Sequence, residues 1–224
     1  MLKISKTFSS HTPPLIAQRS NKNFLVIGNS ISIHGTCEYW WSVCGMGASR
    51  KENDFVHLIA NTLSKNHPTK FDIINFFQWE AMHYDRSEAL SLLDKFNGKN
   101  YDFIIIQLGE NINNFDTLES DFKALIKHVK NKICNAKIIV TGKFFTFKNE
   151  IIDKIKRKVC TETGAYFVDL QDINTADYCV GLDYEVFDEN GNRHVVNHNG
   201  VALHPNDKAM KVYAERILKL VNRQ

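Results

Sequence analysis

The chain has 224 residues, 43% of them hydrophobic and 24% charged, with a formal net charge of +3; that suits one domain with a substantial core and ordinary globular usage. The charge is too mild and its lysines too spread out to mark a nucleic-acid partner, and no apolar run reaches the roughly 18 residues of a membrane helix. Residues 1–23 hold no apolar core of signal-peptide length, so the expectation is a cytoplasmic protein.

Residues 1–22 are polar and contain Pro13-Pro14, which reads as an arm or edge strand leading into a single domain over 23–224. Short apolar runs then recur at 24–28 (FLVIG), 71–77 (FDIINFF), 101–109 (YDFIIIQLG), 136–142 (AKIIVTG) and 165–170 (AYFVDL). They are rich in Ile, Val and Phe and nearly continuous, as strands buried on both faces of a parallel sheet are. Helical spacing fills the gaps at 52–66, 86–96, 118–133 and 149–164, with Gly164 where a C-terminal cap belongs. Strands alternating with helices imply a three-layer α/β/α sandwich around a mostly parallel five-stranded sheet. Residues 184–196 (YEVFDENGNRHVV) break the rhythm and read as a β-hairpin. The last segment, 205–223, is amphipathic, with Asn206 or Asp207 to cap it. Five cysteines, Cys37, Cys44, Cys134, Cys160 and Cys179, form no CxxC pair, and their odd number argues for free thiols in a reducing compartment.

Ligands of open parallel sheets bind at the carboxyl ends of the strands. Three polar clusters fall at such ends or beside them: Gly28-Asn29-Ser30, Gly109-Glu110-Asn111 and, entering the final helix, His204-Pro205-Asn206. Taken singly, Ser30 reads as a helix N-cap as well as a nucleophile, Asn111 as a cap for a following helix, and His204 as a structural His before Pro.

Taken together, the clusters resemble the SGNH (GDSL-like) hydrolase superfamily over residues 24–221. GNSIS resembles the block with the nucleophilic Ser, LGENI the Gly-x-Asn block whose Asn donates to the oxyanion, and LHPNDKAM the block with the general-base His. The resemblance implies that superfamily's flavodoxin-like fold, with Ser30, Asn111 and His204 catalytic and no cofactor or metal required. The stretch GNSISIHG…GMGAS is further similar to a bacterial subgroup associated with glycans. The physics agrees. A Ser hydroxyl needs a base to become a useful nucleophile, and His is suited to that near neutral pH. The alkoxide it creates needs fixed N–H donors, each worth about 3–4 kcal/mol of barrier. The Ser30 N–H, the Asn111 side chain and the positive end of a helix after Ser30 are expected to serve.

Two positions depart from the family pattern. Where an Asp usually stands three residues before the His, this chain has Val201, leaving a backbone carbonyl, a distant carboxylate (Asp183, Asp188 or Glu189) or a Ser-His dyad. After the second strand, where a Gly usually donates to the oxyanion, it has NFFQWEAMH; Gly45 is the substitute expected. Tyr39, Trp40, Trp41 and Trp79 flank the expected site, and aromatic faces there serve a sugar ring or the core equally well. His34, one turn beyond Ser30, and Glu110 are further candidates for substrate contact; His57, His83, His194 and His198 read as surface or core. The expectation is a serine esterase that removes an acetyl or related O-acyl group from a carbohydrate, with a small-molecule or glycan substrate and neither nucleic acid nor membrane as partner. An O-acyltransferase using the same Ser-His site and a catalytically impaired glycan-binding domain are the alternatives.

Overall fold

The computed structural model of the protein describes residues 20–82, 84–133, 136–144 and 150–223. The expected N-terminal arm lies outside it through residue 19, as do His83 and Cys134. Five parallel strands form the central sheet: β1 (Lys22–Gly28), β2 (Thr69–Asn75), β3 (Phe103–Gln107), β4 (Lys137–Thr141) and β5 (Tyr166–Val168), in the order β2-β1-β3-β4-β5. Among the described residues seven α-helices accompany them: α1 (Phe55–Ser64), α2 (Phe77–Ala81), α3 (Arg86–Ala89), α4 (Leu118–His128), α5 (Glu150–Thr163), α6 (Asn199–Ala202) and α7 (Asp207–Val221).

Right-handed crossovers distribute these helices. The step from β1 out to β2 places α1 on one face, and the steps back across to β3, β4 and β5 place α2, α3, α4 and α5 on the other. The core divides accordingly. Leu25 and Ile27 of β1 join Trp79, Leu93, Phe122 and Ile152, while Phe24 and Val26 join Phe55, Ile59, Tyr213 and Ile217 from α1 and α7. This is the period-two alternation of a strand covered on both sides. Phe24 stacks on Phe71 and Phe103, its register partners on the two neighbouring strands, with ring centroids 5.3 and 4.9 Å apart.

The direction of winding reverses between β1 and β3, which makes the crevice at their carboxyl ends the switch point where such sheets bind ligands. Gly28 lies there in register with Asn75 of β2 and Gln107 of β3.

Two elements differ from the sequence expectation. The strand read over 71–77 ends at Asn75, because the Asn75 Oδ1 accepts from Phe77 N and turns the chain out of the sheet into α2. The helix read over 86–96 is α-helical only in α3 and continues as 3₁₀ turns through Phe96; Leu93 and Phe96, three residues apart, both reach the core, which a three-residue repeat aligns. The predicted caps form: Gly164 takes the left-handed conformation after α5, and the Asn206 side chain accepts from Ala209 N at the start of α7.

The hairpin forms as β6 (Glu185–Phe187) against β7 (Arg193–Val195). It rests on a small apolar cluster of its own, in which Val186 and Val196 pack with Trp40, Cys44, Met46 and Val201. Cys37, Cys44, Cys160 and Cys179 are free thiols. Among the described residues no helix is long and apolar enough to cross a membrane.

Candidate active site

Ser30 follows β1 on a turn held from three sides. A Cβ on Gly28 would fall 2.0 Å from Ser32 Oγ and 3.1 Å from Gln107 Oε1, so no side chain fits at the strand's end. The buried Asn29 accepts from Ser32 N and Ile33 N through its carbonyl and from Ile31 N through Oδ1, closing the turn that presents Ser30 outward. The Ser30 carbonyl accepts from Met46 N at 2.8 Å. No helix follows Ser30: the turn leads into a loop, and α1 begins only at Phe55, capped by Asp54. The helix dipole expected at the nucleophile is therefore absent.

His204 arrives from the opposite side of the crevice, between α6 and α7. Its Nε2 lies 2.8 Å from Ser30 Oγ and its Nδ1 lies 2.8 Å from the Gly200 carbonyl oxygen. A carbonyl only accepts, so the proton of the neutral ring sits on Nδ1 and Nε2 is left to accept from the serine hydroxyl. The acid usually found three residues earlier is replaced by the buried Val201, which packs with Trp40 and Met46. The three carboxylates considered as substitutes lie elsewhere: Asp188 holds His194 and Asn192, Glu189 pairs with Lys51, and Asp183 is exposed. Burial pulls the His204 imidazole down to about 4, against the Gly200 hydrogen bond and with help from the nearby His34 and His198. Gly47 closes the approach from below. It sits at φ +103°, and a Cβ there would fall 2.4 Å from the Pro205 carbonyl oxygen and 3.0 Å from His204 Cβ.

Asn111 forms the third wall. Its Nδ2 donates to Glu80 Oε2 at 2.7 Å and its backbone N–H to Glu80 Oε1 at 3.4 Å. Ser30, Asn111 and His204 border one cleft of about 520 Å³, together with His34, Tyr39, Met46, Asn75, Phe77, Gln78, His198, Gly200 and Val201. Three elements distant in sequence thus converge on it. A hydroxyl with an imidazole acceptor, in a cleft that a side-chain amide also borders, is the kind of arrangement acyl transfer uses.

The remaining sequence candidates divide. His34 borders the cleft, its Nδ1 engaged by the Gly35 carbonyl. The Gly45 N–H donates to Asp54 Oδ2 at 3.1 Å, and a Cβ on Gly45 would fall 2.4 Å from the Ile31 carbonyl oxygen; this residue braces the Ser30 loop, so its N–H is not open to an oxyanion. Trp79 is 1% exposed and packs edge-on against Phe122, and Trp40 is 1% exposed in the cluster beneath the hairpin; both are core residues that no substrate reaches. Trp41 stacks on His194 of β7 at 4.7 Å and does not border the cleft. Glu110 turns inward, accepting from Asn29 Nδ2, Gln107 Nε2 and Phe144 N. Among the described residues no group of three or more His, Cys, Asp or Glu could hold a metal ion.

Sequence reasoning missed Asn75, Phe77, Gln78 and Glu80. Asn75 and Phe77 fall in the run that reads as a strand through 77, and Gln78 and Glu80 in the stretch just after it. The signal was available in Asn75 itself, a turn-forming residue following the apolar run. His198 was read as a surface or core residue; it stacks on Tyr39 at 4.3 Å and borders the cleft.

No family model matches the chain, and no curated protein matches it by sequence. Solved structures do match. A two-domain esterase active on acetylated mannans, crystallised with mannopentaose, is 15% identical with a TM-score of 0.58, over 93% of this chain and 52% of that one. The chain thus spans about half the length of that enzyme. An acetylxylan esterase from Geobacillus stearothermophilus, in a catalytic-mutant form, is 14% identical with a TM-score of 0.57, over 92% of this chain and 96% of that one. At these identities the likeness establishes a shared fold, which in this chain is the five-stranded parallel sheet flanked by helices.

Proposed function

We propose that this protein is a serine esterase that removes O-acyl groups, acetate foremost, from a carbohydrate through an acyl-Ser30 intermediate. The observation that carries the reading is the 2.8 Å contact of Ser30 Oγ with His204 Nε2 in a cleft that Asn111 also borders. In this reading Ser30 Oγ attacks the ester carbonyl while His204 Nε2 takes its proton. The Ser30 N–H and Asn111 Nδ2 donate to the resulting alkoxide. Collapse breaks the bond to the sugar oxygen, which leaves with the proton held on His204. Water, deprotonated by the same nitrogen, then releases acetate.

The missing acid limits this machinery without disabling it. An amide in the acid's place costs about 10⁴ in rate where it selects the wrong imidazole tautomer. The Gly200 carbonyl selects the right one, so the deficit is confined to weaker stabilisation of the imidazolium. A carbohydrate substrate is supported by the acetylated-glycan esterases that share the fold. The cleft lining supports it too: the Tyr39, Phe77 and His198 rings offer flat faces, and Asn75 and Gln78 offer amides for hydroxyl groups.

The test is hydrolysis of p-nitrophenyl acetate by wild type, Ser30→Ala and His204→Ala, with fluorophosphonate labelling read by mass spectrometry. Expected is a wild type that turns over and labels at Ser30, and variants that do neither. A folded wild type that does not label refutes the esterase and favours a glycan-binding domain with a silent site, which the apolar Val201 would then explain.

A further inference from the structure

Glu80 is 1% exposed and lies on α2, outside the residues assigned a catalytic step above. Its carboxylate gathers donors from both strand ends that carry the site. Oε1 accepts from Gly109 N, from Asn111 N and from Asn29 Nδ2 at 3.3 Å; Oε2 accepts from Asn111 Nδ2 at 2.7 Å and Asn29 Nδ2 at 3.1 Å. Asn29 Nδ2 also donates to Glu110 Oε2 at 2.7 Å, so one amide bridges two inward-facing carboxylates. Every partner is an N–H donor, the complement of an ionised carboxylate.

Holding a carboxylate in this position is expensive. Desolvation penalises a buried ion, and the Glu110 carboxylate nearby adds repulsion. A purely structural brace between β1 and β3 could be built from neutral groups, as Gln107 does nearby in accepting from Ser32 Oγ. What the carboxylate adds is a fixed direction for the Asn111 amide. That amide is planar, so binding one Nδ2 hydrogen to Glu80 sets where the other points, and Asn111 borders the cleft beside Ser30.

We propose that Glu80 is a positioning residue that holds the Asn111 side-chain amide and the Gly109–Asn111 backbone so that the second Nδ2 hydrogen faces the developing oxyanion at Ser30. This role rests on the esterase reading. It places the selective pressure for a buried acid on the transition state: a misdirected Asn111 still admits substrate but no longer stabilises the alkoxide.

The experiment is p-nitrophenyl acetate hydrolysis at pH 8 by the full chain as wild type, Ser30→Ala, Glu80→Gln, Asn111→Ala and the Glu80→Gln/Asn111→Ala double variant, with thermal melts on each. Expected is a ten- to hundredfold fall in kcat for Glu80→Gln with KM within twofold, and less than a twofold further fall when Glu80→Gln is added to Asn111→Ala. An unchanged kcat in Glu80→Gln, or the same loss with and without Asn111, overturns the role. Glu80→Met, of similar size and needing no buried charge, is the second variant; it leaves the Gly109, Asn111 and Asn29 donors unpaired, so it is expected to melt below wild type, still cooperatively, and to show the same kcat loss. If neither Glu80 variant folds, Glu80 is a structural brace and the positioning role is wrong. If the wild type does not hydrolyse, or Ser30→Ala hydrolyses as well as wild type, the esterase reading itself fails; an active wild type with an indifferent Glu80→Gln removes only the role of Glu80.

Discussion

Glu80 and His204 have ionisations displaced in opposite directions, and the pH dependence of stability should expose both. Burial pulls His204 from 6.5 down to about 4, while burial and the Glu110 charge push Glu80 from 4.5 up to about 7. In the unfolded chain each returns to its ordinary value. Between pH 6.5 and 4 the unfolded chain therefore takes up a proton on His204 that the folded protein refuses, so this group's stabilisation is fully present above pH 6.5 and is lost as pH falls. Between pH 4.5 and 7 the folded protein keeps a proton on Glu80 that the unfolded chain releases, so this group destabilises as pH rises. At about 1.4 kcal/mol per pH unit, each displacement is worth on the order of 3 kcal/mol. Over pH 4.5–6.5 the two oppose each other in the wild type. Removing either one unmasks the other. Urea unfolding followed by circular dichroism, at half-unit steps from pH 4 to 7.5, gives the comparison. The stability of Glu80→Gln minus that of wild type should climb by about 3 kcal/mol from pH 4.5 to 7. That of His204→Ala minus wild type should fall by a similar amount from pH 4 to 6.5. A difference independent of pH for either variant means that the group titrates alike in both states, and refutes the burial argument for it.

Three further outcomes follow from packing. Gly47→Ala places a methyl against the Pro205 carbonyl at a φ suited to glycine, so the segment carrying His204 must shift; the expected result is at least a tenfold loss of kcat, read by steady-state hydrolysis on a variant that still melts cooperatively. Trp79→Ala should cost roughly 3–5 kcal/mol in urea unfolding, because Trp79 is enclosed by core. Phe77→Ala, at 47% exposure on the cleft rim, should cost under about 1 kcal/mol while raising KM for acetylated oligosaccharides. Equal stability losses for the two would contradict the placement of these neighbouring aromatics.

Much of this protein was legible in its residues, because the forces involved act over short stretches. Continuous Ile/Val/Phe runs admit little besides doubly covered strands, and 3.6-residue spacing with Gly164 and Asn206 marks the helices α5 and α7 and their ends. Gly28-Asn29-Ser30, Gly109-Glu110-Asn111 and His204 were legible as strand-end and loop clusters, since small polar residues after an apolar run have few other uses. What the tertiary structure alone decided is where each polar group finds its partner. The Nδ1 of His204 meets the Gly200 carbonyl in place of a carboxylate, the Gly45 N–H goes to Asp54, and Glu80 turns inward to Asn29 and Asn111. Trp40 and Trp79 enter the core while Tyr39 and Phe77 border the cleft. Local sequence carries periodicity and turn chemistry, but a hydrogen bond between residues 29 and 80, or a ring's choice between core and cleft, depends on which surfaces the folded chain brings face to face.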